Sequence, residues 1–192
     1  MQIDLSRTLY ATPPTSVILI STVDKNDRNN IAPFAWWNVV SKEPPLIAVS
    51  IRPSTNTYRI IKKTAEFTIG IPDPELVDIV YGSAQLDREA DEFKKLDLTV
   101  LPAVKITSPR IKECQVNIEC RYKNEIECGD HMLVIGEVVA VEVRDDLIYP
   151  EDAVMRHNLK PIAHLTKNIF TTMEGTVLKA TVPGSNTKSG KD

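Results

Sequence analysis

The chain has 192 residues, 42% hydrophobic and 26% charged, with a net charge of −3 and a pI near 5.7. That length suits one domain with a proper core, and the acidic balance argues against a nucleic-acid partner. No apolar run reaches the length of a membrane-crossing helix and the N-terminus lacks a secretion-signal pattern, so the expectation is a soluble cytoplasmic protein without a membrane partner.

Strand signals dominate. Residues 17–23 are nearly continuously apolar, as in a strand buried on both faces. A polar, turn-rich stretch at 24–30 predicts a hairpin with a second strand over 31–40. Residues 46–52 alternate, placing Ile47, Val49 and Ile51 on one face and Ser50 and Arg52 on the other. A helix is expected over 55–63, with Ser54 or Thr55 as its cap. Phe67, Ile69 and Ile71 mark a strand. Asp73 and Pro74 then open a helix over 73–81 that Gly82 can end. A charged helix over 87–95 is anchored by Phe93 and Leu96. Strands follow at 115–122 and at 132–144, the second long enough to need a bend or bulge near Gly136. Residues 1–182 read as a single domain, and 183–192 as a disordered tail without apolar residues. Many strands with a few short helices predict a mainly β protein, an antiparallel barrel with small peripheral helices.

The most informative stretch is 30–57. Its end offers a forked guanidinium at Arg52, hydroxyls at Ser54, Thr55 and Thr57, and the N-terminus of a helix, which together suit a phosphate. Ser50 shares the Arg52 face. The alternative is a solvated arginine at a strand end and a serine that only caps. Upstream, the 35–41 segment can leave its ladder before Pro44 and Pro45 and offer backbone groups to a flat ring. Trp36 and Trp37 point to opposite faces of a strand, one to wall a site and one to pack inside or at an interface. This arrangement points to bound flavin mononucleotide (FMN). Seven glycines and the absence of GxGxxG and GxxxxGK[ST] exclude a Rossmann or P-loop site as the main one.

His131 begins the long strand after a Gly129-Asp130 turn, either facing a cofactor edge or lying at the surface. Cys114, Cys120 and Cys128 form no CxxC pair, so reduced thiols and no metal site are expected, with Cys120 a small core residue.

Five segments carry a resemblance. They are Val17-Ile-Leu-Ile-Ser-Thr-Val-Asp24 with Asn30-Ile-Ala-Pro33; Ser41-Lys-Glu-Pro-Pro45 with Val49-Ser-Ile-Arg52; Asn56-Thr57 with Glu66-Phe67; Cys128-Gly-Asp-His131 with Gly136-Glu-Val138; and Pro161-Ile-Ala-His-Leu165 with Asn168 and Phe170. In this order, over about residues 10–178, the chain resembles the flavin reductase-like family of FMN-binding split barrels, which includes flavoredoxins and archaeal ferric reductases. The resemblance implies an antiparallel split β-barrel of Greek-key type and a homodimer with FMN near the subunit boundary. It also implies reduction by NADH or NADPH, with electrons passed to free flavin, a ferric complex or a protein acceptor. By motif, Ala35, Trp36, Trp37, Asn38, Val39 and Val40 resemble the ring-contacting strand. Ser50, Arg52, Asn56 and Thr57 resemble the ribityl and phosphate contacts. Asn30, Pro33 and Ile51 join the cofactor-binding set, with Ser54 added from local chemistry. His131 resembles the family histidine on the nicotinamide side. Trp36-Trp37 is bulkier than the small residues many members place there. Two other readings remain: an FMN electron carrier reduced by a partner protein, and a cofactor-free β-barrel binding module with Trp36, Trp37 and Tyr58 as stacking platforms. The acidic balance and the 6% aromatic content weigh against the module.

Overall fold

The computed structural model describes residues 4, 5, 8, 11–86, 91–147 and 159–173. Among them the strands are β1 (Thr15–Ser16), β2 (Ile18–Val23), β3 (Asn29–Phe34), β4 (Trp37–Ser41), β5 (Leu46–Ile51), β6 (Glu66–Ile71), β7 (Val100–Leu101), β8 (Arg110–Ile111), β9 (Val116–Cys128), β10 (His131–Val143), β11 (Ile162–Thr166) and β12 (Ile169–Thr172). The α-helices are α1 (Asn56–Thr64), α2 (Val77–Ser83) and α3 (Glu92–Lys95).

Seven strands form one antiparallel sheet in the order β3-β2-β6-β9-β10-β5-β4. This order dictates the shape. β3 and β4 are consecutive, joined only by Ala35 and Trp36, yet they are the two edges of the sheet. Three Cα steps reach at most roughly 11 Å, whereas a flat seven-stranded sheet is roughly 29 Å wide. The sheet therefore rolls until its margins nearly meet. No pairing joins β3 to β4 among the described strands, so the cylinder stays open along that seam. This is the mainly β antiparallel barrel that the pattern predicted, in the split form that the resemblance implied.

β2 is buried on both faces, as its apolar run requires. Ile18 and Ile20 fill the barrel with Val49, Ile51, Phe67, Ile69 and Val134. Val17 and Leu19 face a second core with Ile31, Val80, Phe93, Ile111 and Ile162. α2 and α3 contribute to that outer core, and the small sheet β1-β11-β12 lies beside it. The predicted hairpin forms between β2 and β3. The expected strand over 31–40 is corrected: it is two strands, broken at Ala35-Trp36 because the chain must cross the seam there.

β9 and β10 make a long hairpin turned by Gly129 at φ 61°. Register shifts fall between Ile135 and Gly136 and between Val138 and Ala140. A Cβ on Gly136 would sit 2.5 Å from Phe67 Cζ, so the glycine leaves room for that ring inside the barrel. Cys120 is buried in the same core, and burial pushes its thiol up to about 12.

The helix expected over 73–81 starts as foreseen, with Asp73 accepting from the Glu75 N–H and Pro74 opening a 3-10 turn. It does not stop at Gly82. Burial of Val80 and Ser83 carries α2 through Ser83, with Ala84 as its C-cap. α3 is the described part of the expected 87–95 helix. It is capped by Asp91, and Phe93 is fully buried. Residues 87–90, His157 and the tail at 183–192 lie outside the described residues.

Glu92 also serves the barrel. β3 is an edge strand, and the Ile31 N–H donates to Glu92 Oε2 at 3.3 Å instead of to another strand. Burial pushes the Glu92 carboxyl up to about 7. A folded-state value above the unfolded one means the acid form is favoured in the folded state. The associated stability is fully present below about 4.5 and is lost as pH rises through about 7. Glu92→Gln keeps an acceptor for Ile31 without the charge. We expect it to raise unfolding free energy at pH 8 by about 1–2 kcal/mol and to change little at pH 4.5. Urea unfolding at the two pH values checks this; equal effects at both would reject burial of an ionising Glu92.

Candidate functional site

Three elements end at the barrel seam: the β3–β4 crossing, the β5-to-α1 turn, and the tip of the β9–β10 hairpin. The Ser50 N–H donates to the Trp36 carbonyl at 2.8 Å and ties the crossing to β5. β5 alternates as predicted, so Val49 and Ile51 lie in the barrel core while Ser50 is half-buried and Arg52 exposed.

After Ile51 the chain turns tightly. The Arg52 carbonyl accepts from the Thr55 N–H at 3.0 Å and from Thr55 Oγ1 at 2.9 Å. Thr55 Oγ1 in turn accepts from the Tyr58 N–H at 3.2 Å and caps α1. The first turn of α1 thus presents N–H groups and the positive end of a nine-residue helix directly after Arg52.

A buried clasp holds that turn. Asn30 on β3 donates from Nδ2 to Thr57 Oγ1 at 3.0 Å and to Thr22 Oγ1 at 3.2 Å. Its Oδ1 accepts from Asn56 Nδ2 at 3.0 Å. Further along, Tyr58 and Lys62 both reach Glu125 on β9 at 3.0 Å, fixing the outer face of α1.

Opposite the turn, Asp130 at the hairpin tip pairs with Arg52 at 3.3 Å and with His131 Nδ1 at 2.7 Å. The hydrogen bond from His131 and the charge of Arg52 hold the Asp130 carboxyl below its usual range. A carboxylate only accepts, so Nδ1 carries the proton of this bond, and whenever the ring is neutral Nε2 is an acceptor. The His131 ring lies 4.9 Å from that of Trp36, tilted by 43°.

The tryptophans divide as their alternation predicted. Trp37 packs on the barrel core and donates from Nε1 to the Ser16 carbonyl at 2.9 Å, while Trp36 is 44% exposed. Asn38, Val39 and Val40 are exposed on β4, whose outer side has no strand beside it among the described residues. Asn38 Oδ1 accepts from the Val39 N–H. Ser54 is exposed, and its carbonyl accepts from Arg59.

The structure therefore brings Trp36, Ser50, Arg52 and His131 to one seam, with Ser54, Asn56 and β4 around it. Asn30, Thr57 and Ile51 differ from the expected contact set. Their side chains are 4%, 1% and 0% exposed, so they shape the site from behind. Pro33 and Ala35 face away from the turn and line a cavity between β3, α2 and the β11–β12 hairpin. Sequence reasoning treated Asp130 only as a turn residue; its link to Arg52 is long-range. Its position beside His131 was the available signal. Nothing local announced the Tyr58–Lys62–Glu125 cluster.

A protein-family model described as flavin reductase like domain matches residues 10–158. An uncharacterized protein of Archaeoglobus fulgidus is 35% identical over 133 residues, covering 69% of this chain and 73% of that one. The solved flavoredoxin of Desulfovibrio vulgaris (Miyazaki F) is similar at 30% identity and a TM-score of 0.82, covering 96% of this chain and 100% of that one. Nitrilotriacetate monooxygenase component B from Bacillus cereus is similar at 26% identity and a TM-score of 0.84, with 94% and 98% covered.

Proposed function

The chain belongs to the flavin reductase-like family, and on that premise we propose that it is an FMN-dependent oxidoreductase. It takes electrons from NADH or NADPH and passes them to free flavin, a ferric complex or a protein acceptor. The observation that carries this reading is the convergence at one seam of a guanidinium, a capped helix N-terminus and an unpaired strand edge. These residues fit the cofactor. A phosphate monoester needs a cation and several donors, which Arg52, the Ser54 hydroxyl and the first turn of α1 supply. A flat ring needs an apolar wall and backbone partners, which Trp36 and the outer side of β4 supply.

Bound FMN supplies the hydride and electron chemistry; the chain binds, orients and shields. Arg52 has five donors and shares them between Asp130 and the phosphate. Asn30 keeps the first turn of α1 in register with β3. Asp130 fixes the tautomer and tilt of His131, whose Nε2 can accept from a nicotinamide carboxamide. Val39, Val40 and Trp36 leave apolar surface at a strand edge, the kind of margin a second copy covers. The working form in this reading is a cytoplasmic homodimer with the cofactor close to the subunit boundary.

Mixing the FMN-saturated protein with NADH or NADPH without oxygen should bleach its yellow absorbance with at least one of them. Persistence with both rejects the reductase. Bleaching by dithionite alone supports the carrier reading instead, which the 30% identity to a flavoredoxin favours as the second choice. A colourless protein that cannot be reloaded with FMN supports the binding module.

A further inference from the structure

We propose that the cavity between β3, α2 and the β11–β12 hairpin is a binding site for a small aromatic carboxylate. The cavity measures about 230 Å³. An apolar cavity of about 150 Å³ accepts benzene, so one ring bearing a carboxylate fits. Phe34, Val80, Tyr81 and Phe170 furnish apolar and aromatic walls. Such a mostly apolar hollow with a few polar groups at its rim is the usual form of a small-molecule site.

The polar rim selects the charge. No aspartate or glutamate is among the described lining residues, whereas Lys167 is. Lys167 takes part in no ion pair among the described residues. Its backbone is fixed: its carbonyl accepts from His164 Nε2 at 3.0 Å, and its φ is 50°. That bond commits Nε2–H of His164, and the imidazole lies 5.2 Å from the Phe170 ring as part of the wall. Among the described lining residues Lys167 is the one lysine or arginine, and its side chain is exposed at the rim. A carboxylate pairs with it while the ring enters the apolar interior.

Ala35 and Lys167 also line the neighbouring cavity beside Trp36. An occupant therefore lies next to the segment assigned to the flavin ring. The inference goes beyond the reductase reading, and binding itself does not require the flavin.

Benzoate and benzamide share a ring and nearly a shape and differ in charge, so they are the probes. Titration calorimetry on the full chain, with and without added FMN, should show benzoate binding at least about tenfold more tightly than benzamide. Lys167→Met should remove that preference while leaving benzamide binding unchanged. Ala84→Phe, which fills the cavity from the end of α2, should abolish both. Equal affinity for the two probes overturns the proposal and points to a neutral carboxamide as the occupant. No binding of either, or benzoate binding indifferent to Lys167→Met, also overturns it. If the variants fail to fold, the benzoate–benzamide contrast on the unaltered chain decides alone. FMN loading and bleaching, measured on the same samples, separate failure here from failure of the reductase reading.

Discussion

Asn30→Leu is expected to lower the unfolding free energy by about 2–4 kcal/mol and to weaken FMN binding with it. The substitution nearly preserves volume, so little of the loss arises from a cavity. It removes three hydrogen bonds at a site only 4% exposed. The hydroxyls of Thr22 and Thr57 lose their donor where water has little access, and the part-buried Asn56 amide loses its bond to Asn30. Leaving such groups unpaired costs about 1–3 kcal/mol each, reduced where the group can re-pair. The first turn of α1 then loses its tie to β3, and the helix N-terminus no longer holds its place beside Arg52. Urea unfolding and an FMN titration on the same preparation check both parts. Unchanged stability would reject the clasp. A destabilised protein that still binds FMN at full strength would reject its link to the cofactor.

Arg52→Ala is expected to weaken FMN affinity by about 1.5–3 kcal/mol, roughly 10- to 150-fold, the range for a hydrogen bond to a charged group. Stability should hardly move. The Arg52 and Asp130 side chains are 61% and 74% exposed, and exposed ion pairs contribute little to folding. The two variants thus separate by phenotype: Asn30 reads out in stability and affinity, Arg52 in affinity alone. Arg52→Lys should recover only part of the binding, because an ammonium cannot present two parallel donors to a phosphate. Fluorescence titration of FMN measures the ratio; equal affinity in Arg52→Ala would reject the guanidinium as the anchor.

Much of this architecture is legible from local pattern. The 17–23 run announced a strand between two cores, because a strand with one face in water alternates, whereas Val17 to Ile20 are apolar without a break. The Ser54-Thr55 pair announced the start of α1, with Thr55 the cap that forms, and Gly136 announced the bend in β10. The alternation in β5 placed Ser50 and Arg52 together on the outer face. The seam was not legible. Residues 31–40 read as one uninterrupted strand, since nothing local marks Ala35-Trp36 as a crossing; the break follows from the order of seven strands. Asn30 was singled out but not understood, because its partners Asn56 and Thr57 lie on a different element. Asp130 carried a turn signal strong enough to hide its ion pair with Arg52. β1, β7 and β8 are two residues each, too short to carry any period.

The two-residue crossing at Ala35-Trp36 makes the chain behave like a bracelet whose main-chain fastening sits at the seam. New chain ends in the polar turn after β2 would leave the ring shut, since the cross-strand bonds on either side of it persist. A cut between Ala35 and Trp36 would remove the covalent link between the rims and leave side-chain ties such as the Asn30 clasp to hold them, so that each row of main-chain groups is freer to recruit foreign strands. The segment proposed for the flavin ring is therefore also the covalent link that holds the two rims of the cylinder close.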